Sequence, residues 1–344
     1  WSPPRRNMRK WAGKMLEEFY SHFEFRNEDG TRVKRLAPYQ YDVWADRWEK
    51  NQFGLPAHRE YIKSQKIGQS TTHLLETLHI ALQERAWGRE ILIVGQEQRK
   101  AEDHLTDLTE MLRRSIFRPF LIEGPRRDPV TGLVRRDSMS KANLTTLVNP
   151  ADPHGEPTRI KAVSITTRGG LLSDKRVEHI HMSDIASANA TSETIDRGIN
   201  NAQTRLTKSR GTLVIETMPG STMGQIYQMY REACRNQARD LPGSDVRRLI
   251  PGRLSVHDTG IVRRFPWTIA VDQKVITREK VEEYRLRCKS AYEFARLYGA
   301  DFLSSELTAY TNPVRRDSIE AGGLLEACMA RIPAGRLSTS NGGR

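Results

Sequence analysis

The alternation of apolar and polar positions divides the chain into amphipathic stretches and short compact apolar runs. The stretches have apolar residues three and four apart, as in a helix, and the runs lie between turn residues, as buried strands do. Residues 6–25, RNMRKWAGKMLEEFYSHFEF, have mostly helical spacing with a basic start. NEDGT makes a turn, and LAPYQYDVWADRWEK opens a second helix at about Pro38, whose fixed φ suits a first helical position. From Glu60 onward the chain reads as a short strand, a loop and a long helix in EYIKSQKIGQSTTHLLETLHIALQERAWG. REILIVG (89–95) is a buried strand, and QEQRKAEDHLTDLTEMLRRSI is a helix. Strand and helix therefore alternate, the pattern of an α/β fold with a mainly parallel sheet.

Residues 123–157 are rich in Pro, Gly, Asp and Arg and flank a weak strand, ANLTTLVN, as an insertion or hairpin region would. TRIKAVSI, RVEHIHMSD and TLVIETM are further strands. A helix through TSETIDRGINNAQTRL lies between the last two, and GQIYQMYREACRNQAR is a clear helix after them. Beyond residue 245 the pattern loosens into PWTIAVD, the helix ITREKVEEYRLRCKS, and AYEFARLYGADFL. The last stretch, ending PAGRLSTSNGGR, reads as a disordered or truncated tail.

Composition narrows the partner more than the fold. The 344 residues suffice for one large domain or two modest ones. Lys and Arg number 55 against 42 Asp and Glu, a net charge of +13 that favours a polyanion such as nucleic acid. No apolar run approaches the roughly 20 residues that span a bilayer, and WSPPRRNMRKW has no apolar core behind it, so a soluble protein is expected. A start at Trp1 is consistent with a fragment. Cys234, Cys288 and Cys328 form no CxxC pair, which argues against a disulfide framework or a structural zinc site. His179 and His181 alternate around Ile180, as strand residues beside a core do.

The candidate chemistry begins at Lys63-Ser64-Gln65-Lys66-Ile67-Gly68-Gln69-Ser70-Thr71, between a strand and a long helix. Backbone N–H groups at such a junction cradle phosphate, and a hydroxyl there binds magnesium. Gly68 suits close passage of backbone past phosphate, and Ser70 or Thr71 suits the metal hydroxyl. The pattern GxxxxGK[ST] is not met. Gln69 holds the lysine position, and Lys63 or Ser64 holds that of the first glycine, so in isolation the segment reads as an ordinary polar loop.

Order and spacing change that. KSQKIGQST at 63, the strand RVEHIHMSD ending at Asp184, and the strand and turn TLVIETMPGS around Thr217 together resemble the ATPase domain of large terminase subunits of tailed double-stranded DNA viruses. Some of those subunits place the working lysine at the start of the loop, as KSxRxGxS. The resemblance covers roughly residues 36 to 305. It implies a P-loop NTPase of the additional-strand, RecA-like class, with ATP and Mg2+ as cofactors. Lys63, or second Lys66, would reach the β and γ phosphates, with Ser64, Gln65, Ile67, Gly68, Gln69, Ser70 and Thr71 around the nucleotide. Ser70 would hold the metal, and Asp184 its shell, partly through water. Gln40 in LAPYQYDVW would read adenine. Thr217, with the Pro219-Gly220-Ser221 turn, would sense the γ-phosphate and couple it to DNA grip. Lys63, Asp184 and Thr217 are thus the implied catalytic set. The position after Ser64 that often carries arginine holds Gln65. Arg168, Gly169 and Gly170 match the arginine-glycine pair before the second motif, and Gln96 lies near the end of the next strand.

One departure is sharp. The family follows its aspartate with a glutamate that activates water, and here that residue is Ile185, with Glu193 nine positions after Asp184. Losing a general base costs about 100- to 10,000-fold in rate. Three explanations stand open: another acidic group from elsewhere in the fold or a neighbouring subunit, binding without efficient hydrolysis, or an altered codon. The implied organisation is an N-terminal helical segment (1–35), a motor domain (36–310), and a tail, linker or start of a truncated nuclease (311–344). The implied function is ATP-driven packaging of double-stranded DNA, in a homo-oligomeric ring with a portal and a small terminase subunit, in the cytoplasm of an infected host. Arg113, Arg114, Arg135, Arg136 and Arg210 are candidate contacts to DNA phosphates. The alternatives are another P-loop translocase or helicase, and a degenerate nucleotide-binding module with little hydrolysis, which ATP turnover would separate from a motor.

Overall fold

A computed structural model describes residues 14–24, 35–124, 142–152, 154–166, 176–186, 191–220 and 224–302, and the backbone of 126–127 and 134–135. The tail at 311–344, the Arg168-Gly169-Gly170 stretch, Ser221, Arg136 and the side chain of Arg135 lie outside the described residues. Of the first expected helix, residues 14–21 are described as helical (α1). Leu16, Phe19, Tyr20 and Phe23 recur at intervals of three and four, and all are buried. They join a cluster that contains Trp44, Leu74 and Leu78, so this segment packs against the body of the protein.

The α2 helix (Pro38–Ala45) starts at the expected proline. β1 (His58–Lys63) is followed by α3 (Gln69–Ala81), then β2 (Glu90–Gly95) and α4 (Gln98–Arg113). The Pro- and Gly-rich region contains a small hairpin, β3 (Arg126–Arg127) with β4 (Val134–Arg135), and then β5 (Leu144–Leu147). β6 (Thr158–Ser164), β7 (Val177–Ser183), α5 (Ser192–Ser209), β8 (Thr212–Thr217) and α6 (Gln225–Asp240) follow as the periodicity predicts. The loose C-terminal part resolves into β9 (Ser255–His257), β10 (Gly260–Phe265), α7 (Trp267–Asp272), α8 (Arg278–Arg287) and α9 (Ala291–Leu297).

Eight strands form one sheet in the order β5-β6-β2-β7-β8-β1-β10-β9. The pairs from β6 to β10 are parallel, and only the outer β5 and β9 run antiparallel. The carboxyl ends of β1, β7 and β8 therefore lie side by side, which brings residues 63, 184 and 217 together.

The two faces differ in chemistry. Ile62, Val94, Ile180, Met182, Leu213, Ile215 and Val262 pack with α5 and α6 through Ile195, Ile199, Leu206, Ile226 and Tyr230. Strand alternation sends the neighbouring residues the other way, so the face under α3 carries Arg59, Lys63, His179, His181, Ser183, Thr212 and Glu216, all buried. Arg59 forms an ion pair with Glu76 of α3 at 2.6 Å, and His179 bonds Thr212 at 2.7 Å. The two histidines are thus buried strand residues, as their alternation around Ile180 predicts.

β9 and β10 are not legible in the sequence because GIVRRF carries two arginines inside the sheet. Arg263 donates two hydrogen bonds to Asp46, at 2.6 and 2.7 Å, on the α2 side. Arg264, on the opposite side, pairs with Asp301 at 2.7 Å and donates to the Ala300 carbonyl at 2.9 Å. Paired charges thus replace the apolar residues that usually mark an inner strand.

Arg263→Ala leaves the Asp46 carboxylate buried without its guanidinium partner and with the Tyr61 hydroxyl still donating to it. Urea denaturation is expected to show a loss of about 3–5 kcal/mol, and the Asp46→Leu/Arg263→Met pair a smaller loss.

Candidate functional site

The loop after β1 is anchored at its start. The Ser64 and Gln65 amides donate to the carbonyls of Phe265 (2.9 Å) and Leu297 (2.8 Å). Lys66 and Gly68 have φ of +60° and +73°. The second suits glycine without cost, whereas the first is strained for a lysine. Gly68 is the N-cap of α3, so the amides of Gln69, Ser70 and Thr71 head the helix with no carbonyl one turn earlier to accept them. Such a helix start favours an anion.

Helix α2 braces this loop. The Gln40 carboxamide oxygen accepts from the Ala37 amide at 2.7 Å, the half of a capping box that alanine permits. Its amide group donates to the Gly68 carbonyl (3.1 Å) and to Thr72 Oγ1 (2.8 Å), and the Tyr39 hydroxyl donates to the Ile67 carbonyl. Gln40, expected to read adenine, is therefore buried with its polar atoms on the loop, and reading a base would exchange those bonds.

Lys63 joins the motifs. Its ammonium donates to Ser70 Oγ at 2.9 Å and lies 3.3 Å from both Asp184 Oδ1 and Glu216 Oε2. Burial works against this charge, but Glu216 and then Asp184 outweigh it and hold the lysine above its ordinary pKa. Lys66, the second candidate, is exposed on the loop. Ser70 and Asp184 thus meet through one cation, whereas Gln69, at the usual lysine position, is buried with no hydrogen-bond partner for its carboxamide among the described residues.

The Asp184 backbone has a φ of +49°, and its amide donates to the Glu216 carbonyl at 2.8 Å. This turn aims Asp184 at Lys63 and sends Ile185 into the apolar core beneath α5. The position of the expected glutamate is thus a packing position. Thr217 Oγ1 accepts the Ala186 amide at 3.1 Å. A Cβ on Gly220 would lie 2.6 Å from the Ala186 carbonyl oxygen, so the Pro219-Gly220 turn rests directly on the Asp184 turn.

Glu216 is missed by the motif reading of the sequence. It stands opposite Ser183 in the β7–β8 register and precedes Thr217. Its Oε1 accepts from Ser183 Oγ (2.8 Å) and approaches His181 Nε2 (3.1 Å). Burial raises the carboxyl, but Lys63 and then His181 hold it well below the usual range. Strand alternation could have found it, since Thr212, Val214 and Glu216 share one face of β8. Among the described residues it is the second carboxylate on Lys63. Gln96, by contrast, is buried at the end of β2 with its carbonyl taken by Ser164 Oγ at 2.8 Å.

Of the candidate DNA-contacting arginines, Arg113 pairs with Glu110 and Glu123, Arg114 pairs with Glu110, and Arg210 ends α5 with a φ of +55°. A separate cavity of about 710 Å3 is lined by Arg248, Arg264, Trp267 and Arg285 and includes none of the loop residues. Its Arg248 and Arg264 share Asp301. Among the described residues no helix is long and apolar enough to cross a membrane, and no cluster of His, Cys, Asp and Glu suits a metal by itself.

No protein-family model matches the sequence, and no curated protein does. Solved structures do match in shape. The large terminase of bacteriophage HK97 superposes with a TM-score of 0.54 over 86% of this chain and 58% of its own, at 13% identity. The chain shares that terminase's fold. The ATPase domain of the Thermus phage P74-26 large terminase gives a TM-score of 0.46, at 16% identity, over 78% of this chain and 100% of that domain. The large terminase of another thermophilic bacteriophage, in complex with ADP, gives 0.47 at 12% identity, over 78% of this chain and 54% of its own.

Histidines wholly or largely withdrawn from water make stability depend on pH. Burial lowers the pKa of His73, His79, His179 and His257, to about 3 for His79 and about 4 for His257. His79 and His257 stay neutral when folded at pH 5 but take a proton below about 6.5 when unfolded, so each costs about 1.4 kcal/mol per pH unit below that value, down to its folded pKa. Urea midpoints are expected to fall steadily from pH 7 to pH 5, and a flat profile would contradict this burial.

Proposed function

We propose that the chain is the ATPase motor of a large terminase, hydrolysing ATP to drive viral double-stranded DNA into a capsid. The observation that carries this is the placing of Lys63, Ser70 and Asp184 around one point at the head of α3, in a fold shared with the HK97 terminase. A lysine at the loop's start would thus serve the place that the usual motif fills from the position of Gln69. Residues 36–310 would form the motor domain, with 1–35 as a helical brace and 311–344 as a tail, linker or nuclease start.

The residues fit magnesium and ATP. Ser70 and Asp184 offer a hydroxyl and a carboxylate, the hard oxygens magnesium prefers, and Asp184 Oδ1 has no hydrogen-bond partner besides its ion pair with Lys63. Magnesium, when bound, would neutralise phosphate charge. The amides heading α3 would hold phosphate oxygens, with Lys63 as the positive charge beside them. Gln40 would report on the loop as well as on the base. Thr217, hydrogen-bonded to the Asp184 turn, would pass a change at that turn to β8 and the 219–220 turn. The net charge of +13 suits a DNA backbone, and a homo-oligomeric ring, a portal and a small subunit complete the proposed assembly in an infected cell.

The test is ATP hydrolysis by the purified chain with and without double-stranded DNA, beside Lys63→Ala and Asp184→Ala. DNA-stimulated turnover is expected, reduced at least about 100-fold in both variants. Bound ATP without turnover would favour the degenerate nucleotide-binding module, and failure to bind ATP would overturn the proposal.

A further inference from the structure

We propose that Lys63 and the divalent cation are alternative occupants of the Ser70–Asp184 pair, and that Glu216 is the positioning residue that retains Lys63 when the metal takes that pair. The proposal rests on the nucleotide-site assignment above and adds to it a role for a carboxylate outside the recognised motifs.

The ammonium has three protons, and three oxygens surround it: Ser70 Oγ, Asp184 Oδ1 and Glu216 Oε2. Two of these belong to the pair expected to hold the metal. A divalent ion held at Asp184 Oδ1, directly or through one water, and an ammonium on the same atom would repel at close range in a poorly solvated site, so the two cations compete there. The third oxygen differs in kind. Glu216 is fully buried in an inner strand, and its Oε1 is fixed by Ser183 and His181, so Oε2 cannot follow a departing partner. Asp184 sits on a turn of positive φ with 29% of its side chain exposed, and it can change partners. A lysine displaced from Ser70 and Asp184 therefore stays on Glu216, with two N–H groups turned from the metal pair to phosphate oxygens.

Without Glu216 the balance changes in a defined way. Asp184 becomes the only carboxylate beside Lys63, so the lysine competes harder for it and the metal binds more weakly. Without Lys63 the competitor is gone, whatever stands at 216. A purely structural role for Glu216 predicts no such dependence.

The test is binding of Mn2+ to the full chain without nucleotide, read from the electron paramagnetic resonance of free Mn2+. It compares the wild type with Lys63→Gln, Glu216→Gln, the double variant and Asp184→Asn. Circular dichroism checks the fold, and ADP binding is measured in parallel. Lys63→Gln is expected to bind Mn2+ about tenfold more tightly than wild type, and Glu216→Gln about tenfold more weakly. The double variant is expected to return to the level of Lys63→Gln, and Asp184→Asn to lose the site. Equal Mn2+ affinity in wild type and Lys63→Gln, or a double variant as weak as Glu216→Gln, would overturn the proposal while intact ADP binding left the nucleotide site standing. Loss of both Mn2+ and ADP binding in the wild type would instead refute the nucleotide site, and the proposal with it.

Discussion

A buried ammonium must be surrounded by acceptors, and the architecture around Lys63 is organised to provide them. The side chain starts at the end of β1, inside the sheet, where little water reaches it. A single carboxylate would leave part of its hydrogen-bonding capacity unmet, which in a dry interior costs about 1–3 kcal/mol or more for a charged group. The fold instead brings three acceptors from three elements: Ser70 from the first turn of α3, Asp184 from the turn after β7, and Glu216 from β8. That convergence demands parallel neighbours in the order β7-β8-β1, which is the order observed. The requirement then extends into the sheet. Glu216 needs Ser183 and His181 on its other oxygen, and His181 lies beside His73 of α3, with Arg59 and Glu76 completing the buried seam. Few positions in that seam tolerate removal of one partner at a time.

Such a seam would give the proposed motor a firm base. The turn that presents Asp184 is held by β8 through the Glu216 carbonyl, by Thr217 through the Ala186 amide, and by the close approach of Gly220. The proposed change of cation at Asp184 would therefore act on a turn with three ties to the next strand. On the other side, Gln40 and Tyr39 tie the loop to α2. Local contacts of this kind supply the physical continuity that coupling requires.

Most elements are legible because their apolar spacing agrees with their burial. REILIVG, RVEHIHMSD and TLVIETM are inner strands, and α4, α5 and α6 show one apolar stripe each. β10 is hidden because Arg263 and Arg264 are buried by pairing with Asp46 and Asp301, partners 217 and 37 positions away that no local pattern reveals. In the site, the loop and Asp184 are visible as motifs, and their order along the chain predicts their meeting. Glu216 is invisible as a motif residue because its role comes from register with Ser183 and from an ion pair with Lys63 of the neighbouring strand β1. Ile185 reads as a defect in sequence and as a core residue in structure, because the left-handed turn at Asp184 directs it under α5.

The most direct measurement is a crystal structure of the chain with magnesium and a non-hydrolysable ATP analogue. The terminal phosphates are expected over Gly68 and the first turn of α3, the metal on Ser70 and close to Asp184, and the Lys63 ammonium still on Glu216. A nucleotide bound away from this loop, or a Lys63 that abandons Glu216 while Asp184 keeps it, would contradict the roles assigned to Lys63 and Glu216.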